Sequence, residues 1–147
     1  MSPTKPSRLL AQSLAPTNGA QPARPNPQRP KRFDFSRLHA RQRRERVAGE
    51  ALARELQALV RRVVPPLLVR FGASRGYLFG SIAAGRAHAR SDVDLLVLGV
   101  GAAAYWELRH ALEAALARPV DLLTGDDDPV IVDKIIARGV LIHGPDA

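Results

Sequence analysis

Apolar and polar positions alternate in blocks along the second half of the chain. Tyr77-Leu78-Phe79 is a short apolar run that stops at Gly80-Ser81, and the apolar run Leu95 to Leu98 follows, with Asp92 and Asp94 at its head. Runs of this length, bounded by Gly and small polar residues, predict strands at 77–79 and 91–98. Between 102 and 117 the apolar positions Tyr105, Leu108, Leu112 and Leu116 recur at helical spacing, with Arg109 and Glu113 forming an i,i+4 pair on the outer side. Pro119 stops that helix, and Val120 to Thr124 reads as a third strand. Asp126-Asp127-Asp128-Pro129 reads as the entry of a helix over 130–138, because an aspartate cap followed by proline at the first helical position is a start signal. Gly139 closes that helix, and Val140-Leu141-Ile142 adds a short edge strand.

Upstream, Ser36 is the expected cap of a long helix over 36–64, whose apolar stripe is Leu52, Leu56, Leu59, Val60 and Val63. Pro65-Pro66 ends or kinks it, with a short continuation through Phe71. A loop and helix over 81–89 joins the first two strands. The pattern as a whole predicts an α/β (α+β) fold, a small mixed β-sheet flanked by helices. The first two strands run antiparallel, and the 91–98 and 120–124 strands, joined by a helical crossover, run parallel.

Composition divides the chain differently. Residues 1–70 hold 15 Lys/Arg against 4 Asp/Glu, a net of +11, while residues 71–147 hold 7 against 10, a net of −3, together the chain's +8. Seven of the 12 prolines fall within residues 1–35, which have no acid before Asp34 and little apolar periodicity. A segment of that kind cannot bury enough surface to offset its ordering entropy, so 1–35 is expected to be a disordered, basic extension preceding a domain over 36–147. Arg37, Arg41, Arg43, Arg44 and Arg46 with His39 form a basic stretch that reads as a solvated helix face, with contact to nucleic acid as the functional alternative.

With no cysteine in 147 residues, disulfides, thiolate metal sites and cysteine catalysis are excluded. The four histidines share neither a helical face nor a ligand spacing. No apolar run reaches the roughly 18–20 residues of a membrane span, and a cytoplasmic protein is expected.

The chemistry is expected at the strand ends. Successive strand residues point to opposite faces, so Asp92 and Asp94 share one face about 7 Å apart. Two carboxylates that close repel unless a cation lies between them, and a hard divalent ion such as Mg²⁺ suits oxygen ligands. Gly80 lets the chain turn sharply and lets a ligand approach, and a helix opening at Ser81 would present free N–H groups to an anion. An anion cradle beside carboxylate-held metal is what a nucleoside triphosphate requires.

Gly80-Ser81, ten residues, then Asp92-Val93-Asp94 with apolar flanks resembles the signature of the DNA polymerase beta-like nucleotidyltransferase superfamily, over about residues 66–144, and the small size points to its minimal nucleotidyltransferase branch. The resemblance implies transfer of a nucleoside monophosphate, AMP from ATP, to a hydroxyl. Asp92 and Asp94 would be Mg²⁺ ligands and catalytic residues, Asp121 the third carboxylate, and Gly80 and Ser81 the triphosphate contacts. It further implies an antitoxin that modifies a helical HEPN-type toxin. Other classes are a small-molecule transferase of the aminoglycoside-modifying type and a catalytically inactive binding module of the same fold. Where relatives carry an arginine after Gly-Ser, this chain has Ile82, leaving Arg86 or Arg90 to supply the phosphate charge.

Overall fold

The sheet is built around Val93–Leu98 (β2), whose residues Val93, Leu95, Leu96 and Val97 are all at most 1% exposed. A strand so covered needs neighbours on both edges and layers on both faces, and it has them. In the computed structural model, which describes Asp34–Ala147 and, outside that stretch, only Gly19, four strands lie in the order β3-β2-β1-β4. β1 is Arg75–Phe79, β3 Val120–Thr124 and β4 Val140–His143. β1 runs antiparallel to both β2 and β4, and β2 and β3 are parallel, the mixed sheet that the pattern predicts.

Alternation along the strands sorts the side chains into two layers. Leu78, Val93, Leu95, Val97, Val120 and Leu122 meet α1 (Phe35–Arg70) and α3 (Tyr105–Leu116) through Leu56, Val60, Val64 and Leu68 of the former and Leu108, Leu112 and Leu116 of the latter. On the opposite face Tyr77 and Leu96 meet Val132 and Ile135 of α4 (Pro129–Arg138). Each buried aliphatic side chain contributes about 1.5–3 kcal/mol, so these layers supply most of the driving force. Asp34–Ala147 is one compact unit.

Several boundaries differ from the sequence expectation. Asp34, not Ser36, caps α1: its carboxylate accepts the Ser36 backbone N–H at 3.0 Å and also the Ser36 hydroxyl. Asp34 and Phe35 therefore belong to the helical unit, whereas the rest of the expected disordered extension, residues 1–33, lies outside the described residues apart from Gly19. α1 also continues past Pro65-Pro66 to Arg70. The two hydrogen bonds that the prolines cannot donate would have gone to the carbonyls of Arg61 and Arg62, both exposed residues that water can serve, while Val64 and Leu68 hold the buried side. The 102–117 helix begins as a 3₁₀ turn, Ala102–Ala104, before α3 proper.

Other expectations match. Asp128 caps α4, accepting the Val130 N–H at 2.9 Å, with Pro129 at the first turn. Gly139 ends α4, in extended rather than left-handed backbone. The basic stretch of α1 is exposed, and three of its arginines reach acids on the same helix: Arg37 to Asp34 at 3.9 Å, Arg41 to Glu45 at 2.7 Å and Arg46 to Glu50 at 3.7 Å. Among the described residues no helix is long and apolar enough to cross a membrane.

Candidate active site

The parallel register of β2 and β3 pairs Val93 with Val120, Asp94 with Asp121 and Leu95 with Leu122. The antiparallel register on the other edge pairs Asp94 with Phe79. Asp94 thus has Asp121 on one neighbouring strand and the end of β1 on the other. All three positions belong to the face that carries Leu96, Leu123 and α4. Asp92 lies one residue before β2, near enough for its charge to act on the Asp94 carboxyl.

Gly80 follows Phe79 and turns the chain off the sheet at φ +73°, a conformation that side chains rarely adopt. It also gives Asp94 its room: a Cβ there would lie 2.0 Å from Asp94 Oδ2. Backbone and carboxylate touch only because position 80 has no side chain.

Burial raises the Asp94 carboxyl above its ordinary value, and the charges of Asp121 and then Asp92 raise it further. Asp94 is half-buried; Asp92 and Asp121 are exposed. A cation at this point would reverse the repulsion, and the donor set, carboxylate oxygens alone, suits a hard divalent ion. Asp94 and Asp121 face one side of the sheet as expected, yet among the described residues no three acidic or histidine side chains stand closely enough together to hold a metal as they are. Like charges without a counter-ion have no reason to converge.

The segment after Gly80 departs from expectation. Of the loop and helix expected over 81–89, the helical part is a single turn that starts one residue earlier, α2 (Gly80–Ala83), and the rest is loop. The turn is short because its side chains serve the core: Ile82 is fully buried, and the Gln57 amide of α1 donates to the Ile82 carbonyl at 2.7 Å. The loop is pinned by Ala87 N–H to the Gly49 carbonyl, by His88 N–H to Ser91 Oγ, and by the Arg118 guanidinium to the carbonyls of Ala89 and Ser91. Ser91 is the buried polar residue of this stretch. Ser81 is half-buried, and its carbonyl accepts the Arg86 N–H at 2.8 Å.

Beside Gly80 opens a cavity of about 420 Å³, walled by Phe79, Gly80, Ala83 and Ala84 on one side and by Ile131, Lys134, Ile135 and Arg138 of α4 on the other. Its cations are Lys134 and Arg138; Arg86 and Arg90, the positions expected to supply phosphate charge, do not line it. The one available sequence signal was two cations four apart on the helix after the third strand.

The family pattern described as "Polymerase beta, Nucleotidyltransferase" matches residues 74–147, half of the chain, containing the whole of the sheet and leaving out α1. The chain belongs to the polymerase beta nucleotidyltransferase family. It is 33% identical over 85 residues to the "Putative protein adenylyltransferase MJ0435" of Methanocaldococcus jannaschii, a match spanning 55% of this chain and 91% of that protein. It is 35% identical over 72 residues to the protein adenylyltransferase MntA of Shewanella oneidensis, spanning 46% of this chain and 52%, about half, of that protein. Among solved structures, a crystal structure of a toxin–antitoxin with AMP-PNP superposes with a TM-score of 0.53 at 29% identity, over 58% of this chain and 74% of that one.

Proposed function

We propose that the chain is a Mg²⁺-dependent protein adenylyltransferase that moves AMP from ATP to a hydroxyl of a helical HEPN-type toxin and so acts as its antitoxin. The observation that carries the reading is the side-by-side register of Asp94 and Asp121 next to Gly80. The similarity to protein adenylyltransferases and to a toxin–antitoxin with AMP-PNP supports the choice of nucleotide and acceptor.

Asp92, Asp94 and Asp121 would hold the metal. A Mg²⁺ ion held by them would supply positive charge for the oxygens of the transferred phosphate. The chain's own residues do the rest. The acceptor hydroxyl oxygen forms a bond to the α-phosphorus. The bond from that phosphorus to the α–β bridging oxygen breaks, its electron pair leaving with pyrophosphate, and Asp121, exposed at the strand head, takes the hydroxyl proton. Gly80 keeps backbone close to Asp94 so that the phosphates meet no side chain there.

Titration calorimetry with ATP, with and without Mg²⁺, tests the site. Binding that needs Mg²⁺ and is lost in Asp92→Asn/Asp94→Asn is expected. Transfer of label from α-³²P-ATP to a co-expressed HEPN-type toxin, absent in the same variant, is the expected activity. A wild-type chain that binds no ATP under either condition would leave a binding module of the same fold.

A further inference from the structure

The cavity beside Gly80 contains two charged groups that nothing in the fold uses. It opens on the same face of the sheet as Asp94, because Phe79, which pairs with Asp94 in the β1–β2 register, and Gly80, which abuts the Asp94 carboxylate, both line it. From α2 it receives only methyl groups and backbone, Ile82 being buried away from it. Its charge comes entirely from α4, where Lys134 and Arg138 stand four residues apart and so share one rim of the helix. Both side chains are exposed, and neither makes an ion pair with a described residue, whereas Arg37, Arg41, Arg46 and Arg109 all reach acids.

The charges match a polyanion. A nucleoside triphosphate carries about four negative charges at neutral pH. A divalent cation would be largely neutralised by the aspartates that hold it, so most of the triphosphate charge, about three quarters of it on the β- and γ-phosphates, needs cations elsewhere. Two unpaired cations at the rim of this cavity are suited to that end of the molecule, since they complement its charge and an uncharged nucleoside has no use for them. A volume of about 420 Å³ lies in the range of small-ligand sites.

Resting on the nucleotidyltransferase reading, we infer that Lys134 and Arg138 bind the β- and γ-phosphates of the triphosphate and hold the pyrophosphate as it leaves. Helix α4 then carries the phosphate charge that the Gly80–Ala83 turn lacks, and Arg86 and Arg90 have no part in it.

The test is calorimetric titration, in Mg²⁺, of ATP, AMP and tripolyphosphate into wild type, Lys134→Ala/Arg138→Ala and Arg138→Lys, with circular dichroism confirming the fold of each. The double variant is expected to lose tenfold or more in affinity for ATP and for tripolyphosphate, and no more than about twofold for AMP, since each lost charged contact to phosphate is worth about a factor of ten or more. Arg138→Lys, which keeps the charge, stays within about threefold of wild type. Unchanged ATP affinity in a folded double variant overturns the inference and leaves the nucleotidyltransferase reading intact, as does an equal loss for AMP and ATP. A wild type that binds none of the three ligands overturns the reading and this inference with it.

Discussion

Asp94 and Asp121 stand directly opposite each other on the parallel strands β2 and β3, two carboxylates on one face of the sheet about 5 Å apart at the backbone. No fold gains stability from that pairing. Burial and the charges of Asp121 and Asp92 together raise the Asp94 carboxyl, so the folded chain holds a proton there more tightly than the unfolded chain does. The sign of the pH dependence follows. Protonation relieves the repulsion, and stability is lost as pH rises from the unfolded carboxylate value through the folded one. In metal-free protein at pH 7, Asp94→Asn is therefore expected to be more stable than wild type, by less than ~1 kcal/mol because the side chain is partly in solvent and screened. The difference should vanish near ~pH 3, where the wild-type carboxyl is protonated. Thermal unfolding at the two pH values decides it, and an Asp94→Asn protein less stable than wild type at neutral pH without metal contradicts the account.

Gly80 offers a sharper test of the site itself. Alanine at this position must adopt φ near +73° and also place its Cβ where Asp94 Oδ2 now lies. The left-handed conformation costs about 1–2 kcal/mol, and the carboxylate must swing away. Gly80→Ala is expected to fold, to melt at a lower temperature, and to lose about 100-fold or more in transfer rate, since a misplacement of roughly 1 Å at a reacting centre is worth that much. Near-normal rates in a folded Gly80→Ala protein would mean that Asp94 is not where the chemistry happens.

Glu113 has the opposite titration behaviour from Asp94. Its carboxylate accepts the Val120 N–H at 3.2 Å, at the start of β3, and the Arg109 guanidinium at 3.3 Å, and these contacts hold it below the usual carboxylate value. A group so lowered stabilises the fold above its unfolded pKa and loses that contribution as pH falls. Glu113→Gln should lower the melting temperature at pH 7 by an amount on the order of a few degrees, and the gap should close below ~pH 4. A gap that persists unchanged into acid would show that the charge on Glu113 does not matter.

Most of the sheet was legible because its signals are local. Val120–Thr124 has the bounds that its apolar run and Pro119 suggest, and Asp128-Pro129 announces α4 in its own residues. Parallel pairing of β2 and β3 follows from the helical crossover, and that pairing brings Asp121 to Asp94. What failed to show in sequence depends on the tertiary environment. Asp34 and Ser36 are both good caps, and only the observed hydrogen bonds choose between them. Pro65-Pro66 reads as a break, yet α1 continues because its packed side, Val64 and Leu68, outweighs two bonds lost toward solvent. The four-residue spacing of Lys134 and Arg138 was readable, but not their place beside the site, because they lie more than fifty residues from Gly80 along the chain and only the sheet order brings them together.

The same dependence on distant contacts makes Gln57 a residue to vary. It lies on α1, and its amide donates to the carbonyl of Ile82 at 2.7 Å, so the turn that follows Gly80 is held from a helix outside the sheet. Ile82 supplies the apolar half of the same attachment by its complete burial. Gln57→Leu keeps most of the packing volume and removes one donor, while the Ile82 carbonyl keeps the Gly85 N–H at 3.1 Å, so the cost is that of a single hydrogen bond, about 0.5–1.5 kcal/mol. The fold, with its extensive core on both faces of the sheet, should survive this loss. The position of Gly80–Ala83 depends more narrowly on the bond, and ATP affinity should fall several-fold more than global stability alone would suggest. Measuring unfolding and ATP binding on the same sample separates the two effects. A variant that loses stability but binds ATP as wild type does would show that the sheet, through Gly80 and Phe79, is sufficient to place the turn without α1.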